Sequence, residues 1–332
     1  MNTAIAPVRQ LDAPTVGELR QAAEKILGEF GTSATSPQLL RRVAEVAAQF
    51  GDTLRHACRP VDTADGLFVL RGLDAADDDA LGATPAGWAT AGDSGALHDI
   101  TLLLLATVMG DPIAWEGQQN GRFVHNIVPS PGHETEQTGA SSTVLLSPHT
   151  EDAFHPGRAH LLMLGCMRNH DHIATTAASI RKVRLSDEDI ATLSRPALPI
   201  LPDDAYAEAQ GYADQSPPAV PTLFATEDGL TLRFDPAYTP LEDADETYRA
   251  AYRRLEAELT RVSVAVSLEP GEVLVVDNDL VVHGRVPFQA RYDGTDRWLK
   301  RASVRVPGRR TRPSAEAAEH GYGQAALEAH AA

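Results

Sequence analysis

An α+β fold with a mainly β core is what the sequence predicts: a double-stranded β-helix jelly roll flanked by N-terminal and inserted helices. Three features predict it. The first hundred or so residues carry apolar positions at helical spacing. After Pro112, short β-rich runs follow one another between turn residues, and a single further helical stretch interrupts them. Many short strands wrapped by helices form a double-sheet roll more readily than any layered α/β arrangement.

In chain order, Thr15 with Glu18 reads as a capping box, and Val16, Leu19, Ala23, Ile26, Leu27 and Phe30 follow on one helical face. Ser36-Pro37 reads as an N-cap and first-turn proline, with Leu40, Val43, Val46, Ala47 and Phe50 as the buried stripe. A third helix is expected over 93–109, stopped by Gly110-Asp111-Pro112. Strands are expected over 123–128, 143–146, 160–167, 173–178 and 231–234, then over 272–276, 281–284 and 298–306. The inserted helix spans 246–262, with Tyr248, Tyr252, Leu255 and Leu259 on one side. Two segments, 117–142 and 202–221, read as long functional loops, the first as a lid over the substrate. The domain reading is a flexible N-terminus over 1–14, one domain over 15–308 and a mobile tail over 309–332.

A formal charge of −17 is the wrong sign for a nucleic-acid surface. Cys58 and Cys166 are too few for a disulfide framework and read as buried reduced thiols. No basic segment followed by an apolar one opens the chain, and the longest apolar run, 102–109, is too short to span a bilayer. The expectation is a cytoplasmic enzyme, monomer or homodimer, acting on a small molecule with no membrane or nucleic-acid partner.

The chemistry concentrates in Ser147-Pro148-His149-Thr150-Glu151-Asp152. On an extended strand His149 and Glu151 project from one face and can fill two adjacent coordination positions. His283, in Val281-Val282-His283-Gly284, is the best third ligand. Two histidines and one carboxylate leave three open positions, the arrangement of non-haem iron(II) oxygenases, two for a keto acid and one for dioxygen. Arg297 lies fourteen residues beyond His283 and Arg301 four further on. On a strand both enter one cavity, and a guanidinium grips a carboxylate at two points.

The runs 149–156, 275–285 and 292–301 resemble the clavaminate synthase-like oxygenases, most closely the arginine and asparagine β-hydroxylases of peptide-antibiotic pathways. The likeness covers roughly 93–306. It implies a jelly-roll core, iron(II), 2-oxoglutarate and dioxygen as co-substrates, and hydroxylation, expected at C3, of a free L-α-amino acid, arginine or another polar one. By position, His149, Glu151 and His283 match the iron ligands and Arg297 the arginine on the distal carboxylate of 2-oxoglutarate. Thr175 or Thr176 is the hydroxyl beside it. Arg301 matches the arginine on the substrate carboxylate, Gln118 lies near the substrate amine, Asp235 near its side chain, and Glu151 is a further substrate-binding residue. Arginine hydroxylases of this type carry a second acid two residues beyond; here that residue is Ala237, which leaves citrulline, lysine, asparagine or a cyclic amino acid open. Because Glu151 keeps the carboxylate position, chlorination is not expected, whereas desaturation or C4 hydroxylation remain alternatives.

Two other classes compete. A zinc hydrolase accepts the same donors, but the chain has no His-Glu-x-x-His helix and such an enzyme gives no reason for Arg297 and Arg301. A non-catalytic jelly roll is the third. His170 and His172, with His125, His133, His155 and His160, are expected in polar turns, and Trp88, Trp115 and Trp298 in the core or cavity wall.

Overall fold

The computed structural model describes residues 6–31, 36–59, 61, 65–75, 78–203, 218–309 and 325–329. The chain begins with β1 (Val8–Gln10), then α1 (Ala13–Phe30), α2 (Pro37–Ala47), α3 (Asp52–Ala57), β2 (Leu67–Arg71), α4 (Asp78–Leu81) and α5 (Ala96–Met109). There follow β3 (Asp111–Trp115), β4 (Val124–Ile127), β5 (Leu146–His149), β6 (Leu161–Arg168), β7 (Thr175–Ser179) and α6 (Asp187–Leu193). After β8 (Leu223–Thr226), β9 (Gly229–Leu232) and α7 (Glu246–Val262) come β10 (Val264–Val266), β11 (Val273–Asp277), β12 (Val281–Arg285), β13 (Trp298–Arg305) and β14 (Ala326–Glu328).

The larger sheet runs β1-β2-β11-β6-β13-β3-β14, with β4 also on β13; the smaller runs β10-β7-β12-β5; β8 and β9 form a hairpin. Among the described residues only β1 on β2 is parallel. Side chains alternate along a strand, and the large sheet uses both faces. Leu161, Met163, Val273, Val275, Ala302 and Val304 pack with α1, α2 and α5. Their neighbours Leu162, Leu164, Leu274, Val276 and Leu299 pack with Ala177, Val281 and Val282 of the small sheet and with α7. β6 and β11 are therefore buried at every residue, which explains their unbroken apolar runs.

Helical periodicity places α2 and α7 where they occur. α1 starts earlier than expected: Asp12 is its cap, accepting from Thr15 N at 2.9 Å, and Thr15 is buried inside the first turn, so no Thr15–Glu18 box forms. The start of the chain is less loose than expected, since β1 pairs with β2. At the other end β14 pairs with β3, so the expectation of a mobile tail does not hold at 326–328; 310–324 and 330–332 lie outside the described residues. The strand expected at 143–146 instead runs 146–149, because Ser142 N and Thr143 N are both held in a loop by Glu134 O at 3.1 Å. Of the expected loop at 202–221, residues 204–217 lie outside the described residues. Cys58 and Cys166 are buried thiols, pushed up to about 12 by burial. Among the described residues no helix is long and apolar enough to cross a membrane.

Candidate metal centre and its cavity

β5 and β12 run antiparallel with His149 directly opposite His283, and their ring centroids are 4.4 Å apart. The sequence predicts Glu151 on that same strand, but the structure does not put it there. β5 ends at His149, and Glu151 arrives through a turn. Backbone bonds fix the turn: Thr150 N donates to Phe234 O at 2.8 Å, and Phe234 N donates to Thr150 Oγ1 at 3.1 Å. Asn278 clamps the next residue, accepting from Glu151 N at 2.8 Å and donating to Glu151 O at 3.0 Å and Ala159 O at 3.1 Å. Asp152 then adopts φ +51°, a left-handed conformation that costs a non-glycine residue energy, and its carboxylate receives the Trp115 indole N–H at 2.8 Å.

One ligand atom from each of His149, Glu151 and His283 lies within 4.8 Å of the others. Glu151 Oε2 is 3.2 Å from His283 Nε2 and 3.7 Å from His149 Nε2, yet it is buried and makes no hydrogen bond. His149 Nδ1 sits 2.8 Å from Ser147 O, which fixes that nitrogen as the donor and turns Nε2 toward Glu151. An imidazole so oriented by a backbone carbonyl is a prepared metal ligand. A divalent cation fits this donor set, because it would satisfy the orphaned carboxylate oxygen and both Nε2 atoms together. Burial pulls His149 down, but Glu151 and Asp235 outweigh it and raise it to about 9. Burial works against ionised Glu151, but the Arg301 charge and the two histidines hold it well below the usual carboxylate range.

The triad opens on a cavity of about 850 Å³ whose walls include Thr175, Asp235, Arg297 and Arg301. Arg297 Nη2 donates to Thr175 Oγ1 at 2.8 Å, while its buried Nε has no acceptor. Among the described residues no carboxylate lies within ion-pairing distance of this guanidinium, and burial pulls it down to about 10. Such a group fits an incoming carboxylate. Thr176 is not on the cavity wall, which separates the two threonines. Arg301 ion-pairs with Glu151 Oε1 through Nη1 and lies 2.9 Å from His125 Nδ1 through Nη2.

Asp235 reaches the cavity and also closes its own turn, accepting from Ala237 N at 3.1 Å. Burial pushes it up to about 6. Asp203 is pushed up to about 7, by burial first and then by Asp152 and Glu151. Gln118 is buried in a neighbouring space of about 1100 Å³ that shares Arg301 and Asp203 with the first.

His125 corrects the sequence reading. It sits within β4 opposite Arg301 of β13, not in a polar turn, and it is buried. His170 and His172 do occupy a turn, beside Asp78 and Glu269. Trp115 and Trp298 are buried, and half-exposed Trp88 lines the second space. Asn278, Asp203 and Arg285 were missed. Arg285 follows His283 by two on β12 and donates to Ser141 Oγ at 3.0 Å, fastening the 130–145 loop to the strand of the metal site.

A model of the taurine catabolism dioxygenase TauD, TfdA family matches residues 63–303. Enduracididine beta-hydroxylase of Streptomyces hygroscopicus is 40% identical over 276 residues, covering 76% of this chain and 80% of the relative. L-asparagine oxygenase of Streptomyces coelicolor is 38% identical over 252 residues, covering 75% and 73%. Among solved structures, the non-heme iron oxygenase OrfP with Fe and alpha-ketoglutaric acid superposes with a TM-score of 0.77 at 35% identity, over 90% of this chain and 94% of that one. Its complex with Fe, succinate and (3S)-hydroxy-L-Arg gives 0.79 at 33%, with the same coverage.

Proposed function

The chain belongs to the taurine catabolism dioxygenase TauD, TfdA family, and from that premise we propose that it is an iron(II)- and 2-oxoglutarate-dependent oxygenase hydroxylating C3 of a free L-α-amino acid with a cationic, guanidine-bearing side chain. The observation that carries the reading is the meeting of His149, Glu151 and His283 around one point, beside a buried Arg297 that has no carboxylate partner among the described residues. The two sheets are then the halves of a jelly roll, with the triad at the mouth of the smaller.

When bound, iron supplies the activation of dioxygen, coupled to oxidation of 2-oxoglutarate to succinate and carbon dioxide. His149, Glu151 and His283 would hold it and leave one side of its coordination sphere open. Arg297 and Thr175 anchor the distal carboxylate of 2-oxoglutarate. Arg301 receives the carboxylate of the amino acid, with Glu151 and Gln118 toward its amine. Fixing the substrate at these points brings one carbon to the metal and excludes others. Asp235 and Asp203 face the side chain; held near neutrality by burial, they ionise fully against a cation. With Ala237 in place of a second acid, one wall of the guanidine pocket is left open, which suits a bulkier cyclic guanidine such as the relative's enduracididine. We further place the enzyme in the cytoplasm, in specialised metabolism, as a monomer or homodimer; the two buried thiols accord with a reducing compartment.

A panel of the twenty amino acids plus citrulline, ornithine, pipecolate and enduracididine tests this, with ferrous iron and 2-oxoglutarate present. The expected result is a mass gain of one oxygen on a guanidine-bearing member, matched by succinate. Loss of two hydrogens would replace hydroxylation by desaturation. No iron-dependent succinate at all would overturn the reading.

A further inference from the structure

Arg301 and His125 are cross-strand partners, one on β13 and one on β4. Residues opposite one another in a ladder send their side chains to the same face, so the pairing itself delivers His125 to the guanidinium. Nη2 of Arg301 meets Nδ1 of His125 at 2.9 Å. Arginine has only donors, so Nδ1 must accept and the ring proton must sit on Nε2. The ring is buried, so this hydrogen bond is shielded from competition by water.

We propose that His125 is the positioning residue of the substrate-carboxylate arginine: it fixes the plane of the Arg301 guanidinium, and with it the alignment of the amino acid at the metal. The inference rests on the functional reading above. Glu151 holds one end of the guanidinium and His125 the other, and with five N–H groups an arginine held at two points can still grip a carboxylate. The contact with His125 adds a second fixed direction to the one that Glu151 sets, and two directions define the plane of the group. Burial and the Arg301 charge push His125 down to about 3, so at working pH it stays a neutral acceptor and never repels its partner.

Three variants separate positioning from bulk. H125N keeps an acceptor near the place of Nδ1, H125Q moves it to the place of Nε2, and H125F fills the space with none. Thermal melting checks each for folding. KM for the amino acid that the panel identifies is measured beside amino-acid-independent succinate formation. H125F and H125Q should raise that KM roughly tenfold or more, the worth of a hydrogen bond to a charged group. H125N should stay within a few-fold of the parent, and uncoupled succinate formation and KM for 2-oxoglutarate should hold in all three. An unchanged KM in H125F, or equal impairment of all three variants, overturns the role of His125. A parent protein that makes succinate but oxidises no amino acid overturns the functional reading beneath it, which is a different result.

Discussion

The two walls of the cavity are built differently. On the wall proposed for the co-substrate, Arg297 leads into β13 and bonds to Thr175 of β7, so each sheet contributes one member. On the wall proposed for the side chain, Asp235 sits in a turn after β9, and Gln137, Thr138 and Gly139 come from the long loop before β5. The first wall is a fixed socket and the second a set of replaceable parts. Scaffolds commonly fix the shared chemistry on strands and vary the specificity on loops. Relatives with different amino-acid names, enduracididine and asparagine, accord with this division.

The largest expected effect tests whether the walls are separable. Arg297→Met should raise KM for 2-oxoglutarate roughly tenfold to a hundredfold, the worth of a charge-assisted contact, and leave KM for the amino acid nearly unchanged. Arg301→Met at saturating iron should do the reverse. If both variants weaken both substrates alike, the division fails.

A second effect sharpens the replaceable wall. Asp235 is raised from 3.8 to about 6 by burial, so the folded chain holds this proton more tightly than the unfolded chain. Its contribution to stability is complete below the unfolded value and is lost as pH rises through about 6. At pH 8 the ionised carboxylate therefore opposes folding, on the order of 1–3 kcal/mol. Asp235→Asn should raise the melting temperature of the ligand-free protein at pH 8 and much less at pH 5, while weakening a cationic amino acid. Equal melting shifts at both pH values would remove the charge from the account.

The smallest effect divides two adjacent threonines. Thr175→Val should raise KM for 2-oxoglutarate by a few-fold, as loss of a neutral hydrogen bond does. Thr176→Val should leave it unchanged, because that hydroxyl lies off the cavity wall.

Local pattern made the helices legible. Capping residue and apolar stripe give α2 from Ser36, and the alternating four- and three-residue spacing of its tyrosine and leucine positions gives α7. The candidate site was legible for another reason: three residues of the right chemistry, which the fold brings together, followed by two arginines at a set spacing, have few alternative uses. Contacts between distant segments left no such trace. Asn278 reaches Glu151 across 127 positions and His125 reaches Arg301 across 176, and neither residue stands in a periodic pattern. β2 was missed because its apolar run lies among helices. Even the spacing of His149 and Glu151 was informative for the wrong reason: a turn pinned by Asn278, not a shared strand face, brings the carboxylate in.

β13 carries opposite duties on its two sides. Arg301 looks into the cavity, while Lys300, one residue earlier, points to the helical layer and is buried 2.8 Å from Asp99 on α5. An ammonium locked to a helix acts as a ratchet pawl: sliding this strand by a single residue would tear a charge pair out of the interior and swing the wrong cation toward the metal. New substrates are therefore reached by rewriting the surrounding loops, while the strand keeps its place.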